Sequence, residues 1–540
     1  MTKLFETSWR SGYEFFERYH DSTLQRSVTN QIRLPYEWYE PSSNGLYTSV
    51  LDDSIRLDKK QGRAKEGRDN YGFLDPIYRN IRDNYWDKDS GDGYNKNPRI
   101  FYLDIETRVG QNSTGFPVPE KALEQVSLIQ VYDSRLEMMF ILGLREWKHE
   151  KEFIEKNEIT YPIRYFQCRD EYHLFEAYFA LFQKLDPLII YAWNGDGFDY
   201  PYLYNRLKNL GLDPNLLSNH GSVSMEEKEF KGRTEFKMKF DGHFYLDLMK
   251  VYKVFNFKPR ASFSLDNIAE VELGERKVQH PEYAAFDDFY TGKYIIPDKP
   301  TEAQKDSRIY QEAIAGNWDE VKELAHSEFV FYGATDTFLI KRLDDKLNLT
   351  NLMIMIAEKM GVQIGDSLGT VKPWSQYIAN RSMESKKVMP PKKENGLPKV
   401  VGGYVRDPEV GKHKWVLSAD VNSMYPLLGM TGFNMSPEKF VPKHRLPPEL
   451  RDIILSYYSS QDEEKTFKIP SDVKEKTKEL LQEHELSLGI NGAVFSNDST
   501  GMIPEMIVEI YTSRKKAKKT MFEYEKKAIQ IKEILKKRGA

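Results

Sequence analysis

Two carboxylates close an apolar run near residue 100, and the chain can be organised around them. In Arg99-Ile-Phe-Tyr-Leu-Asp-Ile-Glu-Thr107, four apolar residues, Ile100 to Leu103, lead into Asp104 and Glu106. A short apolar run of this kind reads as a buried strand. Side chains alternate across a strand, so Asp104 and Glu106 share one face and Ile105 takes the other. Like charges so placed repel, and they persist where a cation sits between them. A strand that simply ends in a polar turn would show the same Asp-x-Glu, so the rest of the chain has to decide.

The arrangement recurs. Leu188 to Trp193 is a second apolar run, and it opens into Asn194-Gly-Asp-Gly-Phe198-Asp199-Tyr-Pro. Val126 to Tyr132 and Met138 to Leu142 read as two strands, with Asp133-Ser134-Arg135 as their hairpin turn. Glu171 to Leu185 reads as a helix with Leu174, Tyr178, Leu181 and Phe182 on its apolar side. Met225 to Leu246 alternates charged and apolar residues and predicts a protruding hairpin. Asp247 to Phe255 and Leu265 to Val271 predict helices. A longer helix over Val321 to Leu347 places Tyr332 and Asp336 four apart, on one face. Strands alternating with helices predict an α/β layer.

Composition bounds the partners. The 540 residues suffice for several domains, and an apolar fraction of 40% can build large cores. A net charge of −4 does not announce a nucleic-acid binder, but Tyr511 to Ala540 holds eleven Lys/Arg against three Glu. The single cysteine, Cys168, excludes a disulfide framework and fits a reducing compartment. The first residues, Met-Thr-Lys-Leu-Phe-Glu, do not read as a signal peptide, and no apolar run approaches the roughly 20 residues that span a membrane. A soluble, intracellular protein is expected.

Asp104-Ile-Glu106, then Asn194-x-x-x-Phe198-Asp199, then Tyr332-x-x-x-Asp336 resemble the three exonuclease motifs of family B DNA polymerases, in the same order. Gly115-Phe-Pro117, Tyr132-Asp-Ser134 and Ser262-Phe-Ser-Leu-Asp-Asn-Ile-Ala-Glu270 resemble the T-even phage branch of that family. The resemblance implies a ribonuclease H-like 3′–5′ exonuclease domain with Asp104, Glu106, Asp199 and Asp336 as metal ligands. Two divalent ions, Mg²⁺ or Mn²⁺, roughly 3.5–4 Å apart would activate the water and stabilise the leaving 3′ oxygen. Tyr332 would orient that water, because a phenol is a poor base near neutral pH. Phe198 would pack, Asn194 would contact DNA or hold its turn, and the Met225 to Leu246 hairpin would help move a primer end between sites.

A second site follows by the same resemblance. Val371-Lys-Pro-Trp374 and Lys386-Lys-Val-Met-Pro390 are similar to the phage branch, and Gly402-Gly403-Tyr404 would touch the template strand. Trp415 to Ala419 predicts a strand that ends in Asp420-Val421-Asn-Ser423-Met424-Tyr425-Pro426, which resembles the first palm motif. Asp420 would hold both catalytic metals and Val421 would offer its carbonyl to one of them. The amides near Ser423 and Met424 would cradle a deoxynucleoside triphosphate, and Tyr425 would stack under its sugar. Arg451 to Leu488 predicts a charged helical insertion, and Gly501-x-x-Pro504 leads into the first fingers helix. Arg514 and Lys518, four apart on that helix, would grip the triphosphate. Other lysines nearby read as solvated or as touching backbone phosphates.

The expected architecture is α/β and α+β multidomain. It runs as an N-terminal domain (1–98), an exonuclease domain (99–343), a return segment and linker (344–390), a partial palm (391–500) and a fingers helix (501–540). The family's second fingers motif and its Asp-Thr-Asp palm motif are absent from this sequence. Either the sequence is a shortened piece of a longer polymerase or, the preferred expectation, it is the N-terminal subunit of a split polymerase acting on a DNA primer-template in a host cytoplasm. A second polypeptide would supply the rest of the palm, fingers and thumb, and contact with a sliding clamp. Two alternatives stand beside it: a stand-alone 3′–5′ exonuclease with a vestigial palm, and a nucleic-acid-binding regulator of a messenger.

Overall fold

In a computed structural model of the chain, the run beginning at Ile100 forms the expected strand inside a seven-stranded sheet. All residues are described except 1, 63–69, 73, 87–92, 110–115, 149–152, 157–158, 231–232, 278–279, 392–405, 421–422, 427–431, 459–468 and 538–540. The chain divides into two units, Met1–Leu34 with Ile77–Gln376, and Pro35–Pro76 with Tyr377–Ala540.

The first unit opens with an antiparallel meander of β1 (Lys3–Ser11), β2 (Glu14–Asp21) and β3 (Arg26–Ile32). Strands β4 (Tyr36–Pro41), β5 (Tyr47–Ser49) and β6 (Arg56–Gly62) belong to the second unit, and helix α1 (Pro76–Asn84) follows. The large sheet then takes β7 (Ile100–Thr107), β8 (Val126–Asp133), β9 (Met138–Gly143), β10 (Phe153–Lys156), β11 (Ile159–Gln167) and β12 (Ile189–Ala192). After the hairpin of β13 (Val223–Phe230) and β14 (Arg233–Phe240), β15 (Phe244–Asp247) completes it in the order β10-β11-β9-β8-β7-β12-β15. The predicted hairpin is thus shorter than Met225 to Leu246: Phe244-Tyr-Leu-Asp247 has apolar residues enough to enter the sheet as a strand of its own. Strands β7, β8 and β9 run antiparallel, and β12 and β15 join parallel to β7.

Helices α2 (Glu171–Leu185) and α3 (Asp199–Asn209) flank β12 in the chain. Asp170 caps α2, its carboxylate accepting from the His173 amide at 3.0 Å. Strand alternation sorts β7 as expected. Phe101, Leu103 and Ile105 pack in one core with Leu174, Phe175, Tyr178 and Phe182 of α2. Tyr102, on the other face, donates to Asp344 at 2.7 Å.

Asp344 belongs to α9 (Trp318–Leu347), reached through α4 (Leu248–Phe255), α5 (Leu265–Leu273), α6 (Phe286–Thr291), α7 (Glu302–Asp306) and α8 (Arg308–Ala315). Ser264 caps the start of α5, and Gly274, at a φ of 73°, ends it in the left-handed conformation. Helix α9 approaches β8 so closely at Gly333 that a Cβ there would sit 2.0 Å from Gln130 Nε2.

In the second unit, Leu446, Leu450, Ile454, Leu480 and Val494 form a core. The predicted helical insertion is corrected at its end: Leu486–Leu488 is a strand paired antiparallel with Val494–Ser496. The strand predicted over Trp415 to Ala419 does not form either. Those residues are exposed and unpaired, Trp415 at 99% and Leu417 at 93%. A strand exists only through neighbours that take its backbone hydrogen bonds, and no described residue does so here.

Candidate active site

Strand β7 and helix α9 each bring acids to one place. Carboxylate oxygens of Asp104, Glu106 and Asp336 lie within 4.8 Å of one another, Glu106 and Asp336 buried and Asp104 half-buried. The strand supplies two by alternation, and a bulge after Glu106 ends its regular pairing with β8. The helix supplies the third from the face that carries Tyr332, one turn earlier.

Asp199 stands outside this triple, though close enough to act on it. It is the first residue of α3, buried, and accepts from the Ile105 amide. The turn before it is held by Asn194, which at a φ of 64° adopts the left-handed conformation that asparagine tolerates. The Asn194 carbonyl accepts from the Gly197 and Phe198 amides at 2.9 and 3.0 Å. A Cβ on Gly197 would lie 2.6 Å from the Asn194 side-chain oxygen, so a larger residue there would displace the Asn194 side chain. Phe198 packs, stacking on Tyr202 at 5.2 Å.

The electrostatics are those of crowded anions. Burial, then Glu106, Asp199 and Asp336, push Asp104 well above the ordinary carboxylate range. Burial and the neighbouring Asp336 push Glu106 up to about 8. Burial and Asp247 push Asp199 up to about 7. Burial also raises Asp336, against the pull of Lys277.

Sequence reasoning missed two participants. Lys277 forms an ion pair with Asp336 Oδ2, and its Nζ lies 5.1 Å from the Tyr332 ring centroid. Burial alone would lower Lys277, but Asp336 outweighs it and holds the ammonium charged. Its segment, Gly-Glu-Arg-Lys277, has no periodicity to mark it out. Asp247 accepts from the Asn194 and Met249 amides at 2.9 and 3.0 Å, joining the Asn194 turn to the start of α4. It ends Phe-Tyr-Leu-Asp247, the same tetrapeptide as Phe-Tyr-Leu-Asp104, and that repeat was a legible signal.

The triple suits a hard divalent cation. The donors are all carboxylate oxygens, and Asp336 Oδ1 is buried with no hydrogen-bond partner. Asp186, His220 and His243 form another cluster of ligand type. Arg18 already fills it, donating to Asp186 Oδ1 at 3.4 Å and lying 3.3 Å from His220 Nε2, so it is an ion-pair hub.

Only part of the second predicted site lies among the described residues. Asp420 is exposed and joins no acidic cluster among the described residues. Ser423 has a φ of 52°, and Met424 and Tyr425 are exposed. Val421, Gly402, Gly403 and Tyr404 lie outside the described residues, as does Gly115. Arg514 and Lys518 sit on the exposed part of the Met502–Lys537 helix, where Lys518 Nζ lies 5.6 Å from the Phe522 ring centroid.

Comparison with known proteins identifies the family. The profile "DNA polymerase family B, exonuclease domain" matches residues 77–268, and "DNA polymerase family B" matches residues 275–539. The chain belongs to the family B DNA polymerases. It is 26% identical over 456 residues to the DNA-directed DNA polymerase of Escherichia phage RB69, covering 81% of this chain and 44% of that enzyme. It is 23% identical over 466 residues to that of Enterobacteria phage T4, with the same coverages. A DNA polymerase of Pyrococcus horikoshii is 21% identical over 364 residues, 65% of this chain and 23% of that protein. The chain thus spans about half the length of the phage relatives it matches.

Proposed function

We propose that residues 99–343 act as a 3′–5′ exonuclease on DNA primer ends, within the N-terminal part of a DNA-directed DNA polymerase. The observation that carries this reading is the convergence of Asp104, Glu106 and Asp336 from a strand and a helix around an unpartnered carboxylate oxygen. Bound Mg²⁺ or Mn²⁺ would neutralise the phosphodiester anion and lower the pKa of the attacking water. Asp104, Glu106 and Asp336 are the holding residues, and Asp199 adds the fourth carboxylate from α3. Tyr332 keeps its proton near neutral pH, since burial and Asp336 raise its pKa, so it orients water rather than abstracting a proton. Lys277 offsets part of the anionic charge. Asn194 holds the turn that presents Asp199, close to where DNA would pass.

For synthesis, Asp420 and the Val421 carbonyl hold metal, and the Ser423 and Met424 amides with Arg514 and Lys518 take the triphosphate. Tyr425 lies under the sugar, and Gly402, Gly403 and Tyr404 meet the template. That chemistry needs acids which no described residue places beside Asp420. We assign them to polypeptide outside these 540 residues, which would also carry the clamp contact.

Single-stranded DNA with Mg²⁺ tests the first reading. Degradation should fall by at least about a hundredfold in Asp104→Ala, by analogy with loss of other transition-state electrostatic groups. DNA binding without degradation by the unaltered protein would point to a regulator instead. Nucleotide incorporation after addition of a polypeptide carrying the missing palm motifs tests the second. Failure of a folded mixture to incorporate would leave an exonuclease alone.

A further inference from the structure

Helix α6 contributes none of the acids, yet it touches α9 and Arg108, the residue that follows β7. Asp287 on α6 receives Arg108, two residues beyond Glu106, through both oxygens: Nε donates to Oδ1 at 2.5 Å and Nη2 to Oδ2 at 3.0 Å. A bidentate pair of this kind fixes orientation as well as distance. The Arg108 guanidinium also lies 4.4 Å from the centroid of the Tyr290 ring, again on α6.

The other side of α6 faces α9. Phe286 and Phe289 meet the Tyr332 ring edge-on, with centroids 5.8 and 6.0 Å away. His280 adds a third edge-on ring at 5.3 Å. Phe289 and Tyr290 are buried, and both pack on Phe329, one turn before Tyr332, at 5.4 and 5.3 Å. Three rings set around a fourth leave it few rotamers, and the rotamer decides where the Tyr332 hydroxyl points.

We propose that α6 is a positioning element, which sets the Tyr332 hydroxyl against the Asp104–Glu106 strand end through the Arg108–Asp287 pair and the His280, Phe286 and Phe289 rings. The assignment rests on reading the site as a nuclease. It makes α6 the splint between Arg108, just beyond the strand that carries two of the acids, and the helix face that carries Tyr332. No residue of α6 touches the reacting atoms, so its influence should pass through Tyr332 alone.

That is a statement about coupling, and a double-mutant cycle reads it. Phe286→Leu and Asp287→Asn are made in the unaltered protein and in Tyr332→Phe, and kcat and KM are measured on single-stranded DNA with Mg²⁺. In the unaltered background each should lower kcat about tenfold, as a displaced orienting group does, with KM changed by less than about twofold. In Tyr332→Phe each should change kcat by less than about twofold. The exchange Arg108→Asp with Asp287→Arg should recover most of what either change loses alone. Phe286→Tyr keeps the ring and should keep kcat, which separates positioning from misfolding. Equal losses in both backgrounds, or no loss in the unaltered one, would overturn the assignment. Asp104→Ala degrading DNA at the unaltered rate would remove the nuclease reading itself, whatever the cycle gives.

Discussion

Asp336 has one oxygen paired with Lys277 and the other buried without a partner. Lys277 therefore does part of the work a cation would do. Lys277→Met should lower the Mg²⁺ concentration needed to saturate the site, because the anionic cluster loses its internal counter-charge. A Mg²⁺ titration followed by calorimetry checks the direction, and weaker binding in the variant would remove this role. Gly333, on the same helix, has a steric task. A methyl there would meet Gln130 Nε2 at 2.0 Å, so Gly333→Ala should cost about 1–3 kcal/mol through overpacking. Thermal unfolding measures it. Of these residues, Asp104, Glu106 and Asp336 were legible in the sequence, because strand alternation and the four-residue helical spacing are local rules. Lys277 was not, since its partner is far away in the chain and nothing local distinguishes one loop lysine from another.

At the scale of elements, β7 and α9 are joined by a buried polar contact. Asp344 accepts from Tyr102 at 2.7 Å and from the Thr350 hydroxyl and amide at 2.7 and 2.9 Å. Tyr102→Phe removes one donor from a buried carboxylate and should cost about 1–3 kcal/mol, read as a lower denaturation midpoint. Helix α9 also buries His326, with neither ring nitrogen partnered, and burial lowers its pKa to about 3. Below pH 6.5 the unfolded chain binds a proton there that the fold refuses. Stability is therefore complete above that pH and falls as pH drops towards 3, at up to about 1.4 kcal/mol per unit. His326→Phe should flatten the fall between pH 6.5 and 4.5 in denaturation midpoints taken across that range. An unchanged slope would place the proton uptake elsewhere. The Trp415 to Ala419 stretch teaches the opposite lesson about elements. Its apolar pattern is strand-like, but it stays exposed, because propensity does not supply the partner edge a strand needs.

For the molecule as a whole, cation binding and folding of the first unit should be linked. A ligand that binds only the folded state adds about 2.7 kcal/mol at a hundredfold excess over its dissociation constant. Mg²⁺ should thus raise the unfolding temperature, and Asp104→Asn with Glu106→Gln should abolish the rise. A rise that survives in that variant would locate the cation elsewhere. Sequence alone determined the family, the α/β layer and the elements that carry the four acids, because alternation, helical spacing and motif order are written along the chain. Only the tertiary structure decided that three acids converge while Asp199 stands back, that Arg18 closes the histidine cluster, and that α6 packs between Arg108, just beyond β7, and Tyr332. Those outcomes depend on contacts between residues tens to hundreds of positions apart, and a local pattern carries no information about which distant side chain completes it.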